Sequence, residues 1–295
     1  MPAARTGPTA SRRRAWGILI LAVVAIAAYA AVLYNFDLTE TPSESRFGAG
    51  TEVAERLMVY LQPVSVDPLN QTMQVKVDLQ PAPGLAGNRP GYPSRNLAVS
   101  LVSNDTTVQR EFRANQPIPQ FTIDPDLTEG SVVDYPLDRY IVELRIKAIE
   151  EPEHDTGASV PIAQGITVWE GLLGYRFYAT MLPDNEPGET HLRFELRHTA
   201  AQIFFAFALY AAMVVLACAS LAIASLIFLG RRRPEATLVG ALAALVFVVP
   251  TLRNMMPLAP PLGVRADIAV FLWAELAAVI GVALLVWRWV RPVAE

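Results

Sequence analysis

"THLRFELRHTAAQIFFAFALYAAMVVLACASLAIASLIFLGRRRPE", residues 190–235, changes its period in the middle. Up to His198, apolar residues fall at every second position (Leu192, Phe194, Leu196), the pattern of a half-buried strand. From Ala200 to Leu229 the chain is almost continuously apolar, long enough to cross a hydrocarbon layer of about 30 Å as a helix. Arg231, Arg232 and Arg233 then close the run. A β domain and a membrane span are therefore expected to join here with almost no linker. The arginines orient the span, because basic residues stay on the cytoplasmic side.

The rest of the chain extends this reading in both directions. Three further windows have the length and apolarity of spans: residues 15–34, 236–252 and 267–290. The formal charge of −4 hides a strong asymmetry. Residues 35–199 hold 24 acidic and 13 basic residues, a balance of −11, and the remainder carries +7. That positive charge gathers at Arg12–Arg14, Arg231–Arg233, and Arg288 with Arg291. Three basic groups thus imply one topology with both termini in the cytoplasm. The expected fold class is an integral membrane α-helical bundle of four spans, with an extracytoplasmic all-β, sandwich-like domain between spans 1 and 2. Residues 1–14 are a basic cytoplasmic arm, 253–266 an outer Pro-rich loop and 291–295 a cytoplasmic tail. The competing reading of residues 15–34 is a cleaved signal peptide, with a small-x-small site at Ala28–Ala30; the apolar run continues to Tyr34, which favours an anchor.

Within residues 35–199, the first part (35–52) is polar and rich in Ser, Thr, Gly and Pro, and reads as a tether. Alternating runs follow: "ERLMVYLQPVSV", "TMQVKVDLQP", "NLAVSLVS", "TVQREFRA", "RYIVELRIKAIE", "GITVWEG", "GYRFYATML" and "THLRFELRH". Turn-rich segments such as "PAPGLAGNRPGYPS" and "PDNEPGE" separate them. Eight or nine short strands without a convincing helix predict an antiparallel β-sandwich. The single cysteine, Cys218, lies in the second span, so burial alone must hold the domain together.

No nucleophile–base constellation, Walker or dinucleotide motif is present, and the three histidines do not have metal-ligand spacing. No catalytic residue, cofactor or metal is expected. The acidic loop "DPDLTEGSVVD" departs from EF-hand spacing and reads as a solvated turn. An acidic outer domain disfavours nucleic acid. Two polar groups stand out instead. Residues 134–140, "DYPLDRY", place Tyr135, Pro136, Asp138 and Arg139 in a structural turn before a long strand. The second group, a candidate intramembrane polar cluster, comprises Arg253 and Asn254 at the end of the third span, Arg265 near the fourth, and Glu275 inside it. A charge at that depth costs about 2.5–3.5 kcal/mol on insertion scales, so Glu275 is expected to find a partner, with Arg253 favoured.

The stretches "LQPVSVDP", "DYPLDRY", "LRNMMPLAPPLGVRAD" and "FLWAE", spread from Leu61 to Glu275, resemble an actinobacterial-type bacterial family of four-span membrane proteins catalogued as a domain of unknown function, number four-four-three-six. The resemblance implies the architecture and no activity. The expected function is a non-catalytic accessory or scaffold subunit of the bacterial cell envelope. Its partners would be membrane lipids and a membrane or envelope protein, or further copies of itself. A sensor or channel-like transducer is the alternative: the "DYPLDRY" turn resembles the aromatic-Pro-x-Asp turn of pentameric ligand-gated channels, although three helices follow the domain rather than four. An enzyme at the outer membrane face is the third reading.

Overall fold

The structure, a computed structural model, describes residues 44–290 apart from 50, 51, 88, 90, 105, 152–158, 184–187 and 234. Of residues 1–43 it describes Trp16, Val23, Ile26, Ala27, Tyr29, Ala30, Ala31 and Tyr34, all helical. Met1–Thr41 form one compact unit and Pro42–Glu295 another.

The second unit begins with eleven strands: β1 (Glu44–Gly48), β2 (Arg56–Asp67), β3 (Thr72–Pro81), β4 (Leu97–Ser103), β5 (Thr106–Phe112), β6 (Phe121–Ile123), β7 (Arg139–Glu150), β8 (Val160–Pro161), β9 (Ala163–Trp169), β10 (Tyr175–Leu182) and β11 (Glu189–His198). They make two sheets, ordered β1-β9-β2-β3-β6 and β10-β11-β7-β4-β5, with β8 paired to β7. Alternation in the sequence becomes alternation in burial. On β3, Met73, Val75, Val77 and Leu79 face inward, while Gln74, Lys76 and Gln80 face out. One core joins the two inner faces, with Leu57, Val59 and Leu61 of β2 in the same cluster as Leu144 of β7 and Phe194 of β11. Each such side chain contributes about 1.5–3 kcal/mol on burial, which is how a domain without a disulfide holds together.

Three helices follow: α1 (Ala200–Phe228), α2 (Ala236–Asn254) and α3 (Asp267–Val290), whose first residues, Asp267–Phe271, are wound as a π-helix. The Thr199 side chain caps α1 by accepting from the Gln202 N–H at 3.4 Å. Buried residues on α1 recur three and four apart (Ala206, Tyr210, Met213, Ala217, Ser220, Ala224), a single stripe packed against α2 and α3. Elsewhere the helices are covered with exposed apolar side chains such as Phe204, Val215, Phe247 and Leu276.

Three expectations are corrected here. The four-span bundle with the β domain between spans 1 and 2 gives way to a β-sandwich-like region followed by three apolar helices: among the described residues, only those three are long and apolar enough to cross a membrane. The expected first span, residues 15–34, lies mostly outside the described residues. It was read from apolarity alone, which gives a length and a hydropathy but no place in the fold. The sandwich is also not wholly antiparallel, since β2 pairs with β9 in parallel. Finally, the expected tether contains β1, which pairs with β9 along its whole length.

Candidate functional site: the junction of sandwich and helices

The two motifs singled out in the sequence meet at the end of the sandwich that faces the helices. Strand β7 is preceded by a short 3-10 turn, Val132–Asp134, whose Ser131 side chain accepts from the Val133 N–H. A cis Tyr135–Pro136 bond follows. Tyr135 lies among helix residues: it is buried in one cluster with Tyr210 and Met213 of α1, Val249 of α2, Met256 and Val264 of the α2–α3 loop, and Ala274 of α3. Its hydroxyl donates to the Pro257 carbonyl at 3.1 Å. Beside it, Asp134 is ion-paired with Arg265. The turn thus holds the 255–266 loop by one anchored ring and one charge pair.

Behind Tyr135 lies a buried polar group within the sandwich. Asp138 accepts from the Tyr140 hydroxyl, and His198 Nε2 lies 2.8 Å from Asp138 Oδ1, a contact that becomes an ion pair when the imidazole is protonated. The His198 ring stacks on Tyr175 with centroids 4.8 Å apart and meets Tyr135 edge-on at 5.6 Å. Burial, reinforced by the Asp138 carboxylate, pushes Tyr135, Tyr140 and Tyr175 above the usual tyrosine range. The phenols stay protonated well above neutral pH, and those of Tyr135 and Tyr140 donate the bonds described here.

On the helical side, Arg253 is 3% exposed and Asp267 4%. The guanidinium reaches the carboxylate from Nε at 3.0 and 3.1 Å and from Nη2 at 2.7 Å, a bidentate geometry. Nη2 also donates to the Pro261 carbonyl at 2.7 Å. Asp267 further accepts from the Tyr210 hydroxyl at 2.9 Å and the Gly263 N–H at 3.1 Å. One carboxylate therefore ties α1, α2, α3 and the loop between α2 and α3 together.

The residues named from sequence separate accordingly. Arg253 is central, but its partner is Asp267 and no bond joins it to Glu275. Glu275 lies two turns deeper in α3 and is partly buried, and its Oε2 is buried with no hydrogen-bond partner among the described residues. Asn254 is exposed; Arg265 is exposed and bound to Asp134. Pro136 and Asp138 are buried, while Arg139 points outward, 3.6 Å from Glu195. Asp267, Tyr210, His198, Tyr140 and Tyr175 were missed. For Asp267 a signal existed: two helices joined by a short loop bring the last residues of one beside the first of the next.

Among the described residues, no group of three or more His, Cys, Asp or Glu could hold a metal ion. The arrangement is a set of buried polar contacts between sandwich and helices, dense around Asp267, while His198 Nδ1 is buried with no hydrogen-bond partner among the described residues. Fold and junction together define a β-sandwich protein seated on three apolar helices. The chain belongs to the family described as Domain of unknown function (DUF4436), whose profile matches residues 47–196. A second profile, Domain of unknown function (DUF8686), matches residues 198–292. The two matches meet beside His198, so the junction is built from both. A comparison with curated proteins finds no match.

Proposed function

We propose that this chain is an integral membrane protein of the bacterial cell envelope, a non-catalytic scaffold that binds a partner through an extracytoplasmic sandwich. The observation that carries the reading is the clasp of Asp134 and Tyr135 on the 255–266 loop, which seats the sandwich on the helices instead of leaving it on a flexible stalk. A seated domain presents its surface at a defined height and angle, which suits a scaffold.

Further support comes from the sandwich's helix-facing end. Leu137 and Leu173, on loops beside the junction, and Leu258 and Leu262, in the 255–266 loop, are exposed apolar side chains next to the apolar helices. Such tips fit the headgroup boundary of a bilayer. The opposite ends of the helices carry Arg231–Arg233 and Arg288, which the positive-inside tendency assigns to the cytoplasm. A transducer is the second reading, favoured by Tyr135 belonging to the helical cluster while abutting His198 of the sandwich.

Impermeant thiol labelling of intact cells tests the placement, in a Cys218→Ser background. A cysteine at Asn104 should label and one at Glu235 should not; the reverse pattern overturns it. Mild-detergent purification from the native host tests the role. A stoichiometric companion retained by the sandwich supports the scaffold, and a lone monomer counts against it.

A further inference from the structure

We propose that the outward face of the first sheet is a binding site for a saccharide chain, with a preference for an acidic one. The proposal rests on reading the sandwich as the binding part of the protein and names its ligand class.

Residues that alternate out of the core gather on this face. Tyr60 pairs in register with Asp78, Gln62 with Lys76, and Tyr60 with Thr167 on the far side. Glu44 pairs with Trp169 at the edge. Two adjoining cavities of about 360 and 460 Å³ lie along the face, and Tyr60 and Trp169 line both. Trp169 is 45% exposed, a large ring left in water at the end of a strand. At the other end, Gly48 and Gly165 face each other across β1 and β9. A Cβ at Gly165 would lie 2.9 Å from the Met58 sulfur, so a side chain there would crowd Met58 at the cavity's edge.

This is the chemistry a pyranose ring calls for. Its C–H faces stack on the electron-rich face of an aromatic ring, and its rim hydroxyls take paired hydrogen bonds from amide, carboxylate and ammonium groups. Gln62, Lys76 and Asp78 supply these groups beside the two rings. Other ligand classes fit less well. An extended peptide adds to a sheet edge through its backbone, whereas this is a face. A protein interface needs a broader apolar centre than two rings provide. Nucleic acid would use the same rings but also needs a basic groove that tracks its phosphates, which this face does not offer. Arg46 is paired with Glu44 at 3.2 Å, which leaves Arg56 and Lys76 beside Asp78. That local excess of one positive charge, on a domain with a balance of −11, favours an acidic glycan over a neutral one only through Lys76 and Arg56.

The test is calorimetric titration of the full chain in lipid nanodiscs with two probes of equal length, a neutral β-linked glucose hexamer and a hexamer of galacturonate. Saturable binding is expected for both, tighter for the uronate at low salt. Trp169→Ala should weaken both about tenfold or more with an unchanged melting temperature, since the ring is half in water. Lys76→Gln should remove most of the uronate preference and leave the neutral probe within about twofold. Failure of both probes to bind overturns the proposal, as does unchanged affinity in Trp169→Ala. A protein companion retained by a chain that binds neither sugar would remove the saccharide and leave the scaffold reading in place.

Discussion

At the residue scale, the decisive contrast is between two carboxylates eight residues apart on one helix. Asp267 is buried and held by four hydrogen-bonding groups, and Glu275 keeps a buried oxygen without a hydrogen-bond partner among the described residues. Removing one member of a buried ion pair leaves the other charge uncompensated and costs about 3–5 kcal/mol, more than the pair itself contributes. Arg253→Gln and Asp267→Asn should each lower the melting temperature strongly in detergent, and the double variant should lose clearly less than the two losses combined. Glu275→Gln should be near neutral and additive with Arg253→Gln. Strict additivity for Arg253 with Asp267 would reject the pair. Read from the sequence, Glu275 is the carboxylate in need of a partner and Arg253 is favoured for it, whereas Arg253 binds Asp267. Helical spacing along α3 says how far each carboxylate lies from the loop; only the fold of that loop, with Pro261 and Gly263 offering backbone groups, decides which one the guanidinium meets.

At the element scale, most strands were legible because a face of the sandwich core imposes a period of two. Strand β1 was not: its residues are partly or largely exposed, and its polar sequence takes up strand geometry only because β9 offers an edge. The parallel pairing of β2 with β9 was hidden for a related reason, since alternation says which side chains face inward but not which strand lies alongside. Two glycines of the helices differ in their surroundings. Gly281 of α3 lies against Ser220 of α1, and a Cβ there would sit 2.3 Å from Ser220 Oγ. Gly240 of α2 has nothing within 4 Å of such a Cβ. Gly281→Ala should therefore wedge α1 from α3 and lower thermal stability. Gly240→Ala should be neutral or raise it by up to about 1 kcal/mol through helix propensity. Equal effects at the two positions would mean that the α1–α3 contact is not close-packed.

At the scale of the whole molecule, the sandwich and the helices have separate cores joined by the Tyr135 clasp. The sandwich core is closed within residues 47–196, and Tyr135 belongs instead to the helical cluster, with His198 of the sandwich at its edge. A fragment from Glu44 to His198 should accordingly fold without the helices, with a β-type circular dichroism spectrum and one cooperative melt. It should melt below the full chain, because Tyr135 loses its surroundings and Asp134 loses Arg265. Beginning the fragment at Glu52 instead deletes β1 and leaves the β9 edge unpaired beside the exposed Trp169 ring. An open edge next to an apolar ring invites pairing between copies, so the shorter fragment should melt lower still and associate as concentration rises. Sedimentation of the two fragments over the same concentration range separates these outcomes. Identical stability and monomeric behaviour would show that β1 does not guard the edge, whereas a helical or non-cooperative spectrum from the longer fragment would show that the sandwich depends on its helices to fold.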